Sequence, residues 1–200
     1  MKLIENIHGK HVHSRRIHVL SKHLAALIPN NASILDVGCG DGKISALIKE
    51  LRPDITIHGV EVLVREGAAI DIQQFDGNTL PFDDNHFDCV MFIDVLHHTE
   101  DPMILLKEAQ RVTKDSIILK DHLKEGLLAN TTLRFMDTVG NARYGVALPH
   151  NYWKKNQWIA TAKTLQMSIV EWKESIGLYP FPLNMIFGRK LHMISRWEKN

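Results

Sequence analysis

The stretch Ser33-Ile34-Leu35-Asp36-Val37-Gly38-Cys39-Gly40-Asp41-Gly42-Lys43 decides the fold. A largely apolar strand, Ser33 to Val37, runs into glycines at alternate positions. A helical pattern of Ile44, Leu47, Ile48 and Leu51 follows at once. Glycine has no Cβ, so such a loop can turn tightly and let a ligand approach its backbone. The helix behind it starts with unpaired N–H groups, which favour an anionic or polar ligand group. The spacing is G-x-G-x-G, because position 43 is Lys. It is therefore neither the G-x-G-x-x-G fingerprint of dinucleotide binding nor a P-loop, which needs Gly-Lys-Ser/Thr.

Outward from this turn, strands and helices alternate. Ile17, Leu20, Leu24 and Leu27 recur at helical spacing until Pro29-Asn30-Asn31 ends the run. Pro53-Asp54 turns into a second strand, Ile55–Val60, and Asp76-Gly77-Asn78 is a polar turn. Phe87–Asp94 is a strand of the fully buried kind. Asp101-Pro102 is a start signal for a helix over Met103–Val112, and Ser116–Lys120 is another apolar strand. This alternation predicts right-handed βαβ units and a parallel sheet covered on both faces. Ligands of such sheets bind beyond the carboxyl ends of the strands, so Gly38–Gly42, Glu61, Asp94 and Asp121-His122 should share one rim. From Leu123 to Trp158 the strand pattern fades. Leu127, Leu128, Thr131 and Phe135 suggest one helix, and Trp153–Leu165 another. Ser168–Ser175 and Lys190–Arg196 are expected to pair as an antiparallel edge.

With 200 residues, 44% hydrophobic and 24% charged, the chain fits one globular domain, 1–200. Within it, 1–30 should form an N-terminal lid and helix, with Gly9–Arg16 over the ligand, and 123–158 a helical substrate cap. No run reaches the roughly 18 apolar residues of a membrane span. The first residues lack the apolar core of a signal peptide, and Cys39 and Cys89 read as reduced thiols, so a cytoplasmic protein is expected. Net charge is +1. The one basic stretch, Lys10 to Arg16 with Lys22, is short and diluted by histidine, which disfavours a nucleic-acid substrate. Twelve histidines are present, yet no His-x-x-x-His or Cys-x-x-Cys spacing occurs, so no metal site is expected.

Three motifs in order carry a family resemblance: Ile34–Gly42 with Asp36 two residues before the first glycine, Leu80-Pro81-Phe82-Asp83-Asp84-Asn85-His86-Phe87-Asp88, and Val95-Leu96-His97-His98 before Asp101-Pro102. Over residues 33 to 122 the chain resembles the class I S-adenosylmethionine (SAM)-dependent methyltransferases. The likeness extends to the small-molecule group that includes ubiquinone and menaquinone biosynthesis methyltransferases. It implies an α/β fold: a doubly wound, mostly parallel, Rossmann-like sheet of seven strands, with an antiparallel edge strand and a helical cap. It also implies SAM as cofactor and S-adenosyl-L-homocysteine as product. Gly38, Gly40 and Gly42 would then form the cofactor loop. Glu61 lies 19 positions after Gly42, near the interval at which an acidic residue meets a ribose. Val62 would face adenine, Asp76 would accept from its amino group beside Gly77, and Asp94 would lie near the methionine part. Asp36 could contact the cofactor directly or index the loop through backbone hydrogen bonds.

The sulfonium methyl is already activated, so positioning supplies much of the rate, and a base is needed only for a nucleophile of high pKa. Imidazole titrates near neutrality, which makes His97, His98, His122 and His150 candidates, with His98 and His122 favoured by rim placement. The chain lacks the Asn/Asp-Pro-Pro-Tyr of amino-methylating DNA enzymes and any Pro-Cys pair. A short Thr113-Lys114-Asp115 turn stands where relatives carry Lys-Pro-Gly-Gly. Arg134, Arg143, Tyr144, Tyr152 and Trp153 could hold an anionic or aromatic substrate. The expected activity is methylation of an oxygen on a small metabolite. Methylation of RNA or protein, and SAM binding without turnover, are the alternatives.

Overall fold

The computed structural model describes residues 2–141 and 149–200, with side chains described from Ser14 onward apart from Gly140 and Asn141. Arg143 and Tyr144 lie outside the described residues, as do the side chains of 9–13 in the expected lid. The elements run α1 (Lys2–Ala25), β1 (Ser33–Val37), α2 (Lys43–Leu51), β2 (Thr56–Glu61), β3 (Ile72–Gln74), β4 (Phe87–Ile93), a single 3₁₀ turn (Leu96–His98), α3 (Pro102–Val112), β5 (Thr113–His122), α4 (Ala129–Asn141), α5 (Lys155–Thr164), β6 (Met167–Lys173), α6 (Leu183–Phe187) and β7 (His192–Lys199).

Seven strands form one sheet in the order β3-β2-β1-β4-β5-β7-β6. The first five are parallel, while β7 runs antiparallel to both β5 and β6. The antiparallel strand is therefore inserted one place in from the edge, and β6 closes the sheet. The order reverses between β1 and β4, which opens a crevice at their carboxyl ends.

Alternation along the strands sorts the core into two layers. Leu35, Val37, Val90, Phe92, Ile117 and Leu119 point to the face covered by α3 and α5 and meet Leu106, Trp158 and Trp197. Ile34, Cys89, Met91 and Ile118 point the other way and pack with Leu20, Leu24 and Ile48 of α1 and α2. The α3 start is the one its sequence predicts, with Pro102 in the first turn and Asp101 Oδ1 accepting from Met103 N at 3.0 Å.

Three local readings change. Ile72–Gln74 is a strand, too short and polar to stand out, held at the edge by β2. Thr113–Asp115 is not a turn but the start of β5. Thr113 Oγ1 donates to Asp88 O and Ser116 O, and β7 continues alongside to Glu198 opposite Ser116. Trp158 lies in the sheet-covering core, so α5 belongs to that layer and α4 is the helix left over the crevice.

Candidate functional site

The glycine loop is a left-handed backbone, with φ of 70°, 61° and 72° at Gly38, Gly40 and Gly42. A Cβ at Gly38 would stand 2.7 Å from Val95 Cγ2, whereas one at Gly40 would meet nothing within 4 Å. The first glycine thus admits neighbouring protein, and the second faces open space. Gly42 caps α2. Glu61 braces the loop: its Oε2 accepts from Gly40 N and its Oε1 from Val62 N, both at 2.8 Å. A carboxylate oxygen carries two lone pairs, so both oxygens keep acceptor capacity beyond these bonds.

Asp36 is 2% exposed. Its Oδ2 accepts from Ser45 Oγ at 2.5 Å, and Oδ1 is buried without a hydrogen bond. It ties β1 to α2 through a side chain rather than through backbone N–H groups. Burial, with Glu61 nearby, pushes its pKa up to about 7. On the outer side of the loop, Val62 is 42% exposed, and a Cβ at Gly77 would lie 3.3 Å from Val62 Cγ2. Asp76 is exposed and folds its own turn, Oδ1 accepting from Asn78 N and Thr79 N at 2.8 and 2.7 Å.

Beyond β4 and β5 stands a buried polar cluster. Asp94 leaves its strand with φ 58° and pairs with Arg16 of α1 and Lys120 of β5. Burial alone would raise its pKa, but the two cations outweigh that and hold it well below the usual carboxylate range. His97 Nδ1 lies 2.6 Å from Asp121 Oδ1. Burial opposes charging His97, yet Asp121 and Asp137 overcome it and raise the ring to about 10. Asp121 also accepts from Leu96 N at 3.0 Å and His122 N at 2.6 Å, which fixes the 3₁₀ turn against β5. His122 is lowered to about 4, first by burial and then by the charge of His97. His98 shifts down for the same two reasons, so both rings are neutral at pH 7. Asp137 enters from α4: Tyr152 Oη donates to its Oδ2 at 2.9 Å, and His150 Nδ1 is 3.2 Å from the same oxygen.

One cavity of about 630 Å³ joins the glycine loop to the polar cluster, running from Gly38–Asp41 past Asp94, His97, His98 and His122 to Phe135, Val139, Leu183 and Phe187, while Gly42, Glu61, Val62, Asp76 and Gly77 stand outside its lining. Its size suits a cofactor with a small organic partner. Arg16 and Tyr179 also line it. Among the sequence-predicted substrate residues, Tyr152 is buried against Asp137, Trp153 packs on Trp158 with ring centroids 4.8 Å apart and planes tilted by 56°, and Arg134 is exposed. The sequence marks Arg16 only as the end of the basic stretch and expected lid, and gives no role to Lys120 or Asp137. Asp121 carried a signal in its place on the rim; Asp137 carried none, because an acidic residue on an amphipathic helix reads as solvated surface.

The sheet order, the left-handed glycine loop and the carboxylate at the end of β2 define a Rossmann-like methyltransferase fold. Residues 35–119 match a family described as "Methyltransferase domain", and over that stretch the chain is similar to class I SAM-dependent methyltransferases. It is 34% identical over 95 residues to a ubiquinone/menaquinone biosynthesis C-methyltransferase of Desulfotalea psychrophila, covering 43% of this chain and 39% of that one. It is also 34% identical over 116 residues to a bifunctional methionine biosynthesis protein of Rhodopirellula baltica, covering 51% of this chain and 19% of the relative. The chain thus spans well under half the length of these relatives. A SAM-dependent methyltransferase structure from Thermotoga maritima superposes with a TM-score of 0.67 over 98% of this chain and 96% of its own, at 20% identity. At that identity the likeness carries the fold.

Proposed function

We propose that the chain binds SAM and transfers its methyl group to an oxygen of a small, partly apolar metabolite. The observation that carries this reading is the single cavity shared by the glycine loop, the imidazole cluster and the apolar side chains of α4 and α6. Gly38, Gly40, Gly42, Glu61, Val62, Asp76, Gly77 and Asp94 are the residues that would hold SAM, with Asp36 indexing the loop from behind. The open side of Gly40 and the residual acceptor capacity of Glu61 fit a nucleoside with a ribose diol. SAM supplies an activated sulfonium methyl. The protein orients the acceptor, excludes water with α4, and activates the acceptor hydroxyl at the imidazole cluster, where His98 and His122 reach the cavity. One relative is named a C-methyltransferase; the imidazole cluster instead supports a protonated oxygen as acceptor.

The two cysteines are free, and no helix among the described residues is long and apolar enough to cross a membrane. Both observations support a cytoplasmic setting. The test is to incubate the protein with labelled SAM and a metabolite extract and identify the labelled product. Labelled small molecule is the expected outcome. Label recovered in RNA or protein would overturn the substrate class, and SAM binding without product from any extract would indicate a regulatory subunit.

A further inference from the structure

We propose that His97, His98 and Asp137 bind one divalent first-row transition ion at the acceptor end of the cavity. His97 Nε2 and His98 Nε2 lie 3.6 and 3.7 Å from the same atom, Asp137 Oδ1. The three donors fall within 4.8 Å of one another. Donors about 2.1 Å from an ion stand about 3.0–3.4 Å apart, whether octahedral or tetrahedral. The two imidazole-to-carboxylate edges would contract by about 0.2–0.7 Å, and the edge between the imidazoles, which lies within 4.8 Å, would close to the same spacing.

Two of the three ligands have the outer partner that orients a metal ligand. His97 Nδ1 faces Asp121 at 2.6 Å, and the N–H···O bond this distance supports fixes the ring so that Nε2, turned toward Asp137, is the nitrogen that would release its proton and bind the ion. Asp137 Oδ2 accepts from Tyr152 Oη at 2.9 Å, which turns Oδ1 toward the imidazoles. His98 Nδ1 is buried without a hydrogen-bond partner, and the polar contact of that ring is through Nε2 to Asp137. A second grouping, Asp94, Asp121 and His122 with His97, is present. There Asp94 is already paired with Arg16 and Lys120, and His97 Nδ1 is committed to Asp121.

Two imidazoles and one carboxylate suit manganese, iron, cobalt or zinc, and a hard oxygen-seeking ion such as calcium would be poorly served. Three protein donors leave positions open, and all three residues line the cavity. An acceptor hydroxyl or enol bound there would lose its proton to solvent more readily, freeing an oxygen lone pair for the bond to the methyl carbon. That role rests on the methyl-transfer reading; the ion site does not. Sequence spacing could not reveal it, because two ligands are adjacent in a 3₁₀ turn and the third comes from α4.

The test uses the full chain, stripped with chelator and titrated with Co(II) in the absence of SAM and acceptor. One Co(II) per chain should bind, with visible d–d bands and a raised thermal midpoint. Asp137→Asn and His98→Gln should each weaken binding by about 100-fold or more, and Asp121→Asn by about 10–100-fold, the usual cost of losing an outer partner. No saturable Co(II) binding below millimolar concentration would overturn the proposal. So would stoichiometric binding by the His98→Gln/Asp137→Asn double variant, which would place the ion on other histidines. Should the variants fail to fold, proton NMR of the wild-type Co(II) form decides: two hyperfine-shifted imidazole N–H signals are expected, and their absence overturns the site. A bound ion with no methylated product would leave this site standing and count against methyl transfer alone.

Discussion

Replacing Gly40 with alanine separates the folding of the glycine loop from its use. At Gly40 the added methyl meets no atom within 4 Å, although φ is 61°. At Gly38 it would stand 2.7 and 2.9 Å from the two methyls of Val95, at φ 70°. Left-handed backbone costs a non-glycine residue about 1–2 kcal/mol, partly offset by about 0.4–1 kcal/mol from a stiffer unfolded chain. Gly40→Ala should therefore cost about 1 kcal/mol, which lowers Tm by about 2–4 °C in a chain of this size. Gly38→Ala adds roughly 1–3 kcal/mol of overpacking, so it should lower Tm distinctly further. Binding should reverse the ranking of concern. The Gly40→Ala methyl projects into the space assigned to SAM, and calorimetry should show at least a tenfold loss of SAM affinity, about 1.4 kcal/mol. Thermal melts and SAM titrations of the two variants together make the check. A well-folded Gly40→Ala protein with wild-type SAM affinity would refute the claim that the open side of this loop is the cofactor's seat.

Asp36→Asn should change how stability varies with pH. The folded pKa of Asp36 is raised to about 7, so the folded protein holds a proton that the unfolded chain has released, and this group's contribution falls as pH climbs from about 4 to 7. The neutral amide lacks that penalty, so denaturant melts should show the variant gaining on wild type at pH 8 relative to pH 5, by about 2–3 kcal/mol; an equal difference at both pH values would refute the raised pKa. Lys120→Met removes a fully buried cation from Asp94 and should destabilise by about 3–5 kcal/mol in urea unfolding, the cost of leaving a buried charge under-compensated. Glu61→Gln keeps the shape but loses one carboxylate acceptor, so SAM affinity should fall by about 1.5–3 kcal/mol, read by calorimetry. Unchanged affinity would remove Glu61 from the ribose.

The parts of this molecule that were legible in its sequence are those governed by local chemistry. The glycine loop, the Asp101-Pro102 helix start and the apolar strands each follow from a backbone or periodicity rule that acts within a few residues. The parts that were not legible depend on the order in which strands join the sheet. Thr113–Asp115 looks like a turn until β7, some 80 residues on, supplies a partner for its continuation. Ile72–Gln74 is a strand only because β2 offers an edge. The polar cluster has the same origin. His97 and His98 follow β4, Asp121 and His122 end β5, and α4 brings Asp137 back over both, so their charges meet only after the sheet is assembled. That assembly has an energetic logic. Arg16 and Lys120 neutralise Asp94, and His97 bridges Asp121 and Asp137, so each carboxylate of this cluster has a counter-charge supplied by a different element. Docking of α4 is thereby tied to the charge state of the very residues that line the acceptor end of the cavity. An ion held between His97, His98 and Asp137 would take over the bridging charge of His97 and join α4 to the 3₁₀ turn directly, so acceptor activation and closure of the helix over the cavity would be one event.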